Sequence, residues 1–267
     1  MCVGAGGQSA DKSGYTLFNP TPIDLRRALA ADRPDATESP ISVDAGAVQI
    51  EASFVEYTYN DDADGETSRF DLAPTNLKFG LTNRSDVQII WTPYTFEEVG
   101  DGRDNDGFGD LQVRYKHNLW GNDEGSTALA LLPFVTLPTG DDEIGVSDVE
   151  GGLVVPFAAD LAAVGLDGFG LGTQVEVAFV QDEQPGGQDT ELAHTLVLGY
   201  DVTDRIGVYG EYVGEASLGS DGQYVPILSG GATYELNPDT VLDAGFRAAT
   251  EDEGDDLVLF AGITIRF

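Results

Sequence analysis

The chain has 267 residues, 41% of them hydrophobic, and sets 47 acidic side chains against 13 basic ones for a formal net charge of −34. That charge excludes nucleic acid and anionic surfaces as partners, because phosphates would be repelled rather than neutralised. No stretch approaches the ~18 consecutive apolar residues of a membrane helix, and a single cysteine, Cys2, excludes a disulfide framework or a cysteine metal cluster.

Residues 1–46 show no period and form an N-terminal arm. Pro20, Pro22, Pro34 and Pro40 interrupt regular structure, and Ile23 to Ala31 has room for two helical turns at most. Cys2 follows Met1 directly with no apolar run before it, so no lipoprotein processing site is read there; export with a trimmed signal segment is inferred.

Residues 47–267 read as one domain of about twelve alternating segments. In order they are Ala47 to Tyr59, Arg69 to Thr82, Asp86 to Phe96, Gly109 to Leu119, Thr127 to Leu137, Asp148 to Ala159, Phe169 to Gln181, Thr190 to Tyr200, Arg205 to Glu215, Gln223 to Glu235, Thr240 to Ala249 and Leu257 to Phe267. Side chains of a strand alternate between faces. In the fourth segment Leu111, Val113, Tyr115 and Leu119 therefore share a face, and Gln112, Arg114, Lys116 and Asn118 share the other.

Alternation alone also fits a secreted acidic sandwich, and the connections separate the two readings. Asn83 to Ser85, Asp201 to Asp204 and Asn237 to Asp239 are compact turns. Their counterparts Asn60 to Glu66, Glu97 to Asp106, Gly140 to Glu143, Asp182 to Asp189, Ser220 to Gln223 and Glu251 to Asp256 are longer and acidic. Short periplasmic turns alternating with longer extracellular loops belong to outer-membrane barrels; Asp160 to Gly168, on the short side, is an exception. Aromatics near segment ends, such as Trp91, Trp120, Tyr200 and Tyr234, fit interfacial girdles. The expected fold is all-β: a single antiparallel transmembrane β-barrel of about twelve strands with an irregular arm, in the outer membrane of a Gram-negative bacterium.

Asp32-Arg33-Pro34-Asp35-Ala36-Thr37-Glu38-Ser39-Pro40, followed by Val43 and Gly46, resembles a segment of a family of Gram-negative outer-membrane barrels named after the meta-pathway of phenol degradation. Gly80-Leu81-Thr82-Asn83, Gly107-Phe108-Gly109-Asp110 and Leu137-Pro138-Thr139-Gly140 extend the resemblance over most of the chain. It implies an uptake channel for small, hydrophobic or aromatic compounds, and a closing strand whose terminal Phe267 is read by the barrel assembly machinery. It supplies no catalytic residues.

The candidate sites follow from charge and parity. Lys78, Arg114, Lys116, Glu176, Glu211, Asp243, Arg247 and Arg266 are read as lumen residues that set selectivity. Asp61, Asp62, Asp64, Glu97, Glu98, Asp104, Asp106, Glu251 and Glu253 are read as an acidic extracellular mouth that concentrates cations. Arg33, Asp35 and Glu38 of the arm are expected to fold into the periplasmic mouth and narrow or plug it. Asp101 to Gly107 has the look of a calcium loop but lacks an acidic first position and a closing glutamate, so it reads as an acidic surface loop. His117 and His194 both fall on apolar parity with no serine sharing a face nearby, which leaves no catalytic set. The chain is therefore read as a non-enzymatic outer-membrane channel with no cofactor or metal, whose partners are membrane lipids, the assembly machinery and a small solute. A structural or adhesive barrel with a filled lumen is the alternative.

Overall fold

Backbone amides in lipid need partners, and in this chain the sheet supplies them by closing on itself through its first and last strands. A computed structural model describes residues 11–62, 65–100, 102–181, 187–219, 222–251 and 254–267. Its strands are β1 (Val48–Asp62), β2 (Gly65–Leu72), β3 (Thr75–Thr82), β4 (Ser85–Trp91), β5 (Tyr94–Val99), β6 (Arg103–Gly107), β7 (Leu111–Trp120), β8 (Thr127–Leu137), β9 (Glu150–Asp160), β10 (Phe169–Gln181), β11 (Gln188–Thr203), β12 (Ile206–Ser217), β13 (Tyr224–Asn237), β14 (Thr240–Ala249) and β15 (Leu257–Arg266). Neighbours are antiparallel, and β15 pairs with β1 from Gln49↔Arg266 to Tyr59↔Leu257, which closes the barrel.

Fifteen strands make twelve staves, because β2 with β3, β4 with β5 and β6 with β7 are each one stave broken in two. The breaks fall at Ala73-Pro74, at Thr92-Pro93 and at residues 108–110, next to a bulge in β1 between Ser53 and Val55. Proline has no amide to give a central ladder. Ala73 adds a left-handed backbone at φ 51°.

Beyond these breaks, β1, β2, β5 and β6 continue as a flap toward the end of the barrel that carries the longer connections. This revises two expected loops. Asn60 to Glu66 and Glu97 to Asp106 are mostly strand, so Asp61, Glu97, Glu98, Asp104 and Asp106 stand on paired hairpins. Asp64 and Glu253, with Asp101 of the acidic segment, lie outside the described residues, as does the side chain of Asp62.

Burial is inverted relative to a soluble protein. Val175, Leu196, Leu228 and Phe246 on the outer face are each 44% exposed or more, whereas Lys78, Glu51, Asp86, Gln88 and Lys116 inside are at most 2% exposed. A sandwich would bury its apolar face between sheets; here that face looks outward, as lipid requires. The acidic-sandwich alternative is therefore incompatible with the fold.

The connection between β8 and β9 seals the seam where β6 parts from β8. Asp110 organises it: its Oδ1 accepts from the amides of Thr139 (2.8 Å) and Gly140 (2.7 Å), and its Oδ2 from that of Val146 (2.6 Å). Asp141 answers by accepting from the Phe108 amide at 2.8 Å.

Candidate functional site

The arm does not hang below the barrel; it enters the lumen from the end that carries the short turns. Its base is fixed against β3, where the Gly46 amide donates to the Gly80 carbonyl at 2.8 Å and that of Leu17 to Leu81 at 2.8 Å. Any side chain at position 80 would place a Cβ 1.9 Å from the Asp44 carbonyl oxygen, so the close approach requires glycine. Arg27 ties the base to the turn between β7 and β8 through Asp123 (3.0 Å), and Val43 donates its amide to Asp86 at 2.9 Å.

From this base residues 32–39 cross the lumen as a finger. Asp32 is its root. The carboxylate receives Lys116 Nζ at 2.6 Å on one oxygen and Lys78 on the other, and Lys78 also meets Glu51. Burial opposes ionisation of Asp32, but the two ammonium groups hold its carboxyl far below the usual carboxylate range. Glu51 accepts the Asp32 and Arg33 amides at 3.0 and 3.2 Å, while the Ser39 amide returns to Asp32 at 3.0 Å and closes the loop.

The rest of the finger is held by staves all around the lumen, β1, β7, β10, β12 and β14. Arg33 grips Asp243 with two nitrogens, at 3.1 and 2.6 Å, and donates to Ser53 at 2.7 Å. Glu211 accepts the Ala36 and Thr37 amides, each at 2.9 Å, and the Thr37 hydroxyl at 2.7 Å. The Glu38 amide donates to Gln174 at 2.7 Å, and its carboxylate pairs with Arg114. Wall carboxylates thus satisfy amide donors that an irregular buried segment would otherwise leave unpaired.

Two arm carboxylates are less well served. Asp35 Oδ2 and Glu38 Oε2 are buried without a hydrogen-bond partner. Burial pushes the Asp35 carboxyl up, reinforced by the charges of Glu211 and Asp32. Burial likewise raises Glu38, with Asp32 adding to the effect and Arg114 and Lys116 opposing it, to about 7.

The finger divides the lumen. On the short-turn side lies a chamber of about 640 Å³ between the arm and β9 to β14, lined by Leu29, Ile41, Ala158, Val197 and Val241 with Asp35 and Tyr209. Toward the flap is a chamber of about 350 Å³ lined by Glu56, Thr58, Asn60, Thr67, Arg69, Asp71, Glu97 and Asp255.

Of the residues read as lumen-facing, Lys78, Lys116, Arg114, Glu211 and Asp243 meet on the finger, Arg247 pairs with Glu56 beside the upper chamber, and Arg266 bonds Asp239 at 2.7 Å near the arm base. Glu176 stays half-buried, away from those contacts with the finger. Arg33, Asp35 and Glu38 all lie on the finger. Glu97 lines the upper chamber, whereas Asp61 and Glu251 are exposed at the rim. His117 and His194 lie among outward-facing tyrosines: His117 stacks on Tyr115, and His194 on Tyr224. Sequence reasoning missed Asp32, Glu51, Asp86, Gln174 and Thr195 as a set. For the four on strands the available signal was a shared inward parity, polar against the apolar outer face; Asp32, on the irregular arm, carried no such signal.

A family model described as "Putative MetA-pathway of phenol degradation" matches residues 31–267. Among solved structures, the COG4313 outer membrane channel from Pseudomonas putida F1 superposes with a TM-score of 0.66 at 13% identity, covering 89% of this chain and 100% of that one. The NanC porin gives 0.53 at 8% identity over 82% and 98% of the two chains. The translocator domain of the autotransporter NalP from Neisseria meningitidis gives 0.50 at 9% over 83% and 88%. These likenesses show an outer-membrane barrel fold. No curated protein matches the chain.

Proposed function

Because the chain belongs to the family described as "Putative MetA-pathway of phenol degradation", we propose that it is an outer-membrane channel for passive passage of small solutes, closed at rest by the finger of its own arm. The observation that carries this reading is a continuous polar lumen interrupted at one level, with a chamber on either side of residues 32–39. A barrel whose interior served only stability would gain from apolar filling, since buried ion pairs are weak stabilisers compared with packed hydrocarbon.

The upper chamber supplies the preference for cations. Glu56, Asp71, Glu97 and Asp255 line it against Arg69, and Arg247 stands beside Glu56. Four carboxylates facing two guanidinium groups leave a negative field at the entrance, which attracts cations and repels anions. Family resemblance adds hydrophobic or aromatic compounds to the solutes considered. Membrane lipids cover the outward apolar band, and β15 with Phe267 is the segment offered to the assembly machinery.

The test is single-channel recording in a planar bilayer with asymmetric potassium chloride, on the full chain and on a variant lacking residues 1–40. Brief cation-selective openings in the full chain and sustained, larger conductance in the truncated one are expected. A barrel that stays silent in both forms gives the structural or adhesive reading, and chloride-selective currents overturn the cation preference.

A further inference from the structure

The chamber below the finger differs in character from the one above it. Its walls join apolar surface, from Leu29 and Ile41 on the arm to Val197 and Val241 on the barrel, to polar groups, and its volume of about 640 Å³ lies within the usual range for small-molecule sites. Four of the six charged residues that line it are acidic. Arg33 is committed to Asp243 and Ser53, and beside it Asp35 lines the chamber with a carboxyl whose Oδ2, enclosed by protein, has no hydrogen-bond partner. Asp201, Asp204 and Glu235 at the rim add negative charge against Arg205. Apolar wall surface beside an incompletely satisfied carboxyl, under a net negative field, selects against carboxylated molecules and favours a cationic donor on an apolar body.

We propose that this lower chamber is a binding site for small aliphatic primary amines, with the ammonium group on Asp35 and the alkyl chain against Leu29, Val197 and Val241. The proposal rests on the lumen being the route of the solute. Binding carries a proton signature. Asp35 is buried beside the negative Glu211 and Asp32 on the finger, with Arg33 as the nearby cation and Tyr209 over the adjoining Pro34 carbonyl at 3.5 Å. Burial and those carboxylates favour its protonated form. An arriving ammonium ion replaces that proton, so affinity rises with pH until the amine itself deprotonates near 10.

Calorimetry on the detergent-folded full chain tests this with n-butylamine, n-butanol and butyrate. Butylamine should bind saturably and more tightly at pH 8 than at pH 5, while butyrate should not bind. Asp35→Asn should weaken butylamine about tenfold and flatten its pH dependence with butanol unchanged; Val197→Phe, which fills the chamber, should abolish binding of both. Butyrate binding as tightly as butylamine, or butylamine affinity unchanged in Asp35→Asn, overturns the proposal. The channel reading fails separately: a conducting barrel indifferent to butylamine removes this site alone, and a silent barrel that binds it removes the channel alone.

Discussion

Asp32 shows how one residue commits the arm to the lumen. Two lysines from different staves converge on its carboxylate, and all three side chains are at most 6% exposed. Removing one partner of such a buried set costs about 3–5 kcal/mol, because the charges left behind have lost their solvent. Asp32→Asn should therefore free the finger while the barrel stays closed, measured as faster proteolysis of the arm with unchanged heat-modifiable mobility of the barrel. Glu38 works in the opposite sense. Docked, its carboxyl is pushed from an ordinary 4.5 to about 7, so the docked finger holds a proton that the free one sheds. A group raised on docking contributes fully below its free value and loses that contribution as pH climbs through the docked value. Docking should thus weaken between pH 4.5 and 7, with open probability rising across that window, and Glu38→Gln should reduce the slope. Lys78 and Lys116 were legible as lumen residues from alternation. Their meeting at Asp32 was not, since it spans 46 and 84 residues of chain and depends on the arm folding back.

Strand alternation and turn chemistry located all twelve staves, because lipid outside and water inside impose a period of two on each. Interruptions were harder to see, although Pro74 and Pro93 stood inside segments read as continuous. Their consequence, a flap beyond a line of breaks, depends on neighbouring staves breaking at one height, which no single segment records. The motifs of the resemblance acquire physical roles here. Gly80 admits the arm, Asp32 to Ser39 is the finger, and Asp110 joins two motifs that are distant in sequence by holding the β8–β9 connection across the seam. Each amide bonded to a buried or partly buried carboxylate is worth about 1.5–3 kcal/mol. Asp110→Ala removes two of them, with a third exposed one, and should increase protease cleavage within residues 138–149 without unfolding the barrel. Gly80→Ala should displace the arm instead, producing the faster arm proteolysis of the Asp32 variant by a steric route.

At the scale of the molecule, a net charge of −34 makes selectivity a question of which carboxylates act and over what range. Rim groups such as Asp61 and Asp104 face solvent, and their field is cut off within about 10 Å at 0.1 M salt and about 3 Å at 1 M. Glu97 and Asp255 line the upper chamber, close to any ion that passes, so screening reaches them less. Reversal potentials should therefore show cation preference declining from 0.1 to 1 M potassium chloride toward a residual value rather than to zero. In the Glu97→Gln, Asp255→Asn double variant the residue should vanish at high salt while the low-salt preference partly survives. If the double variant instead matches the wild type at both concentrations, the diffuse rim charge is sufficient and the chamber plays no part in selection; if wild-type preference is already absent at 1 M, the same conclusion follows without mutation.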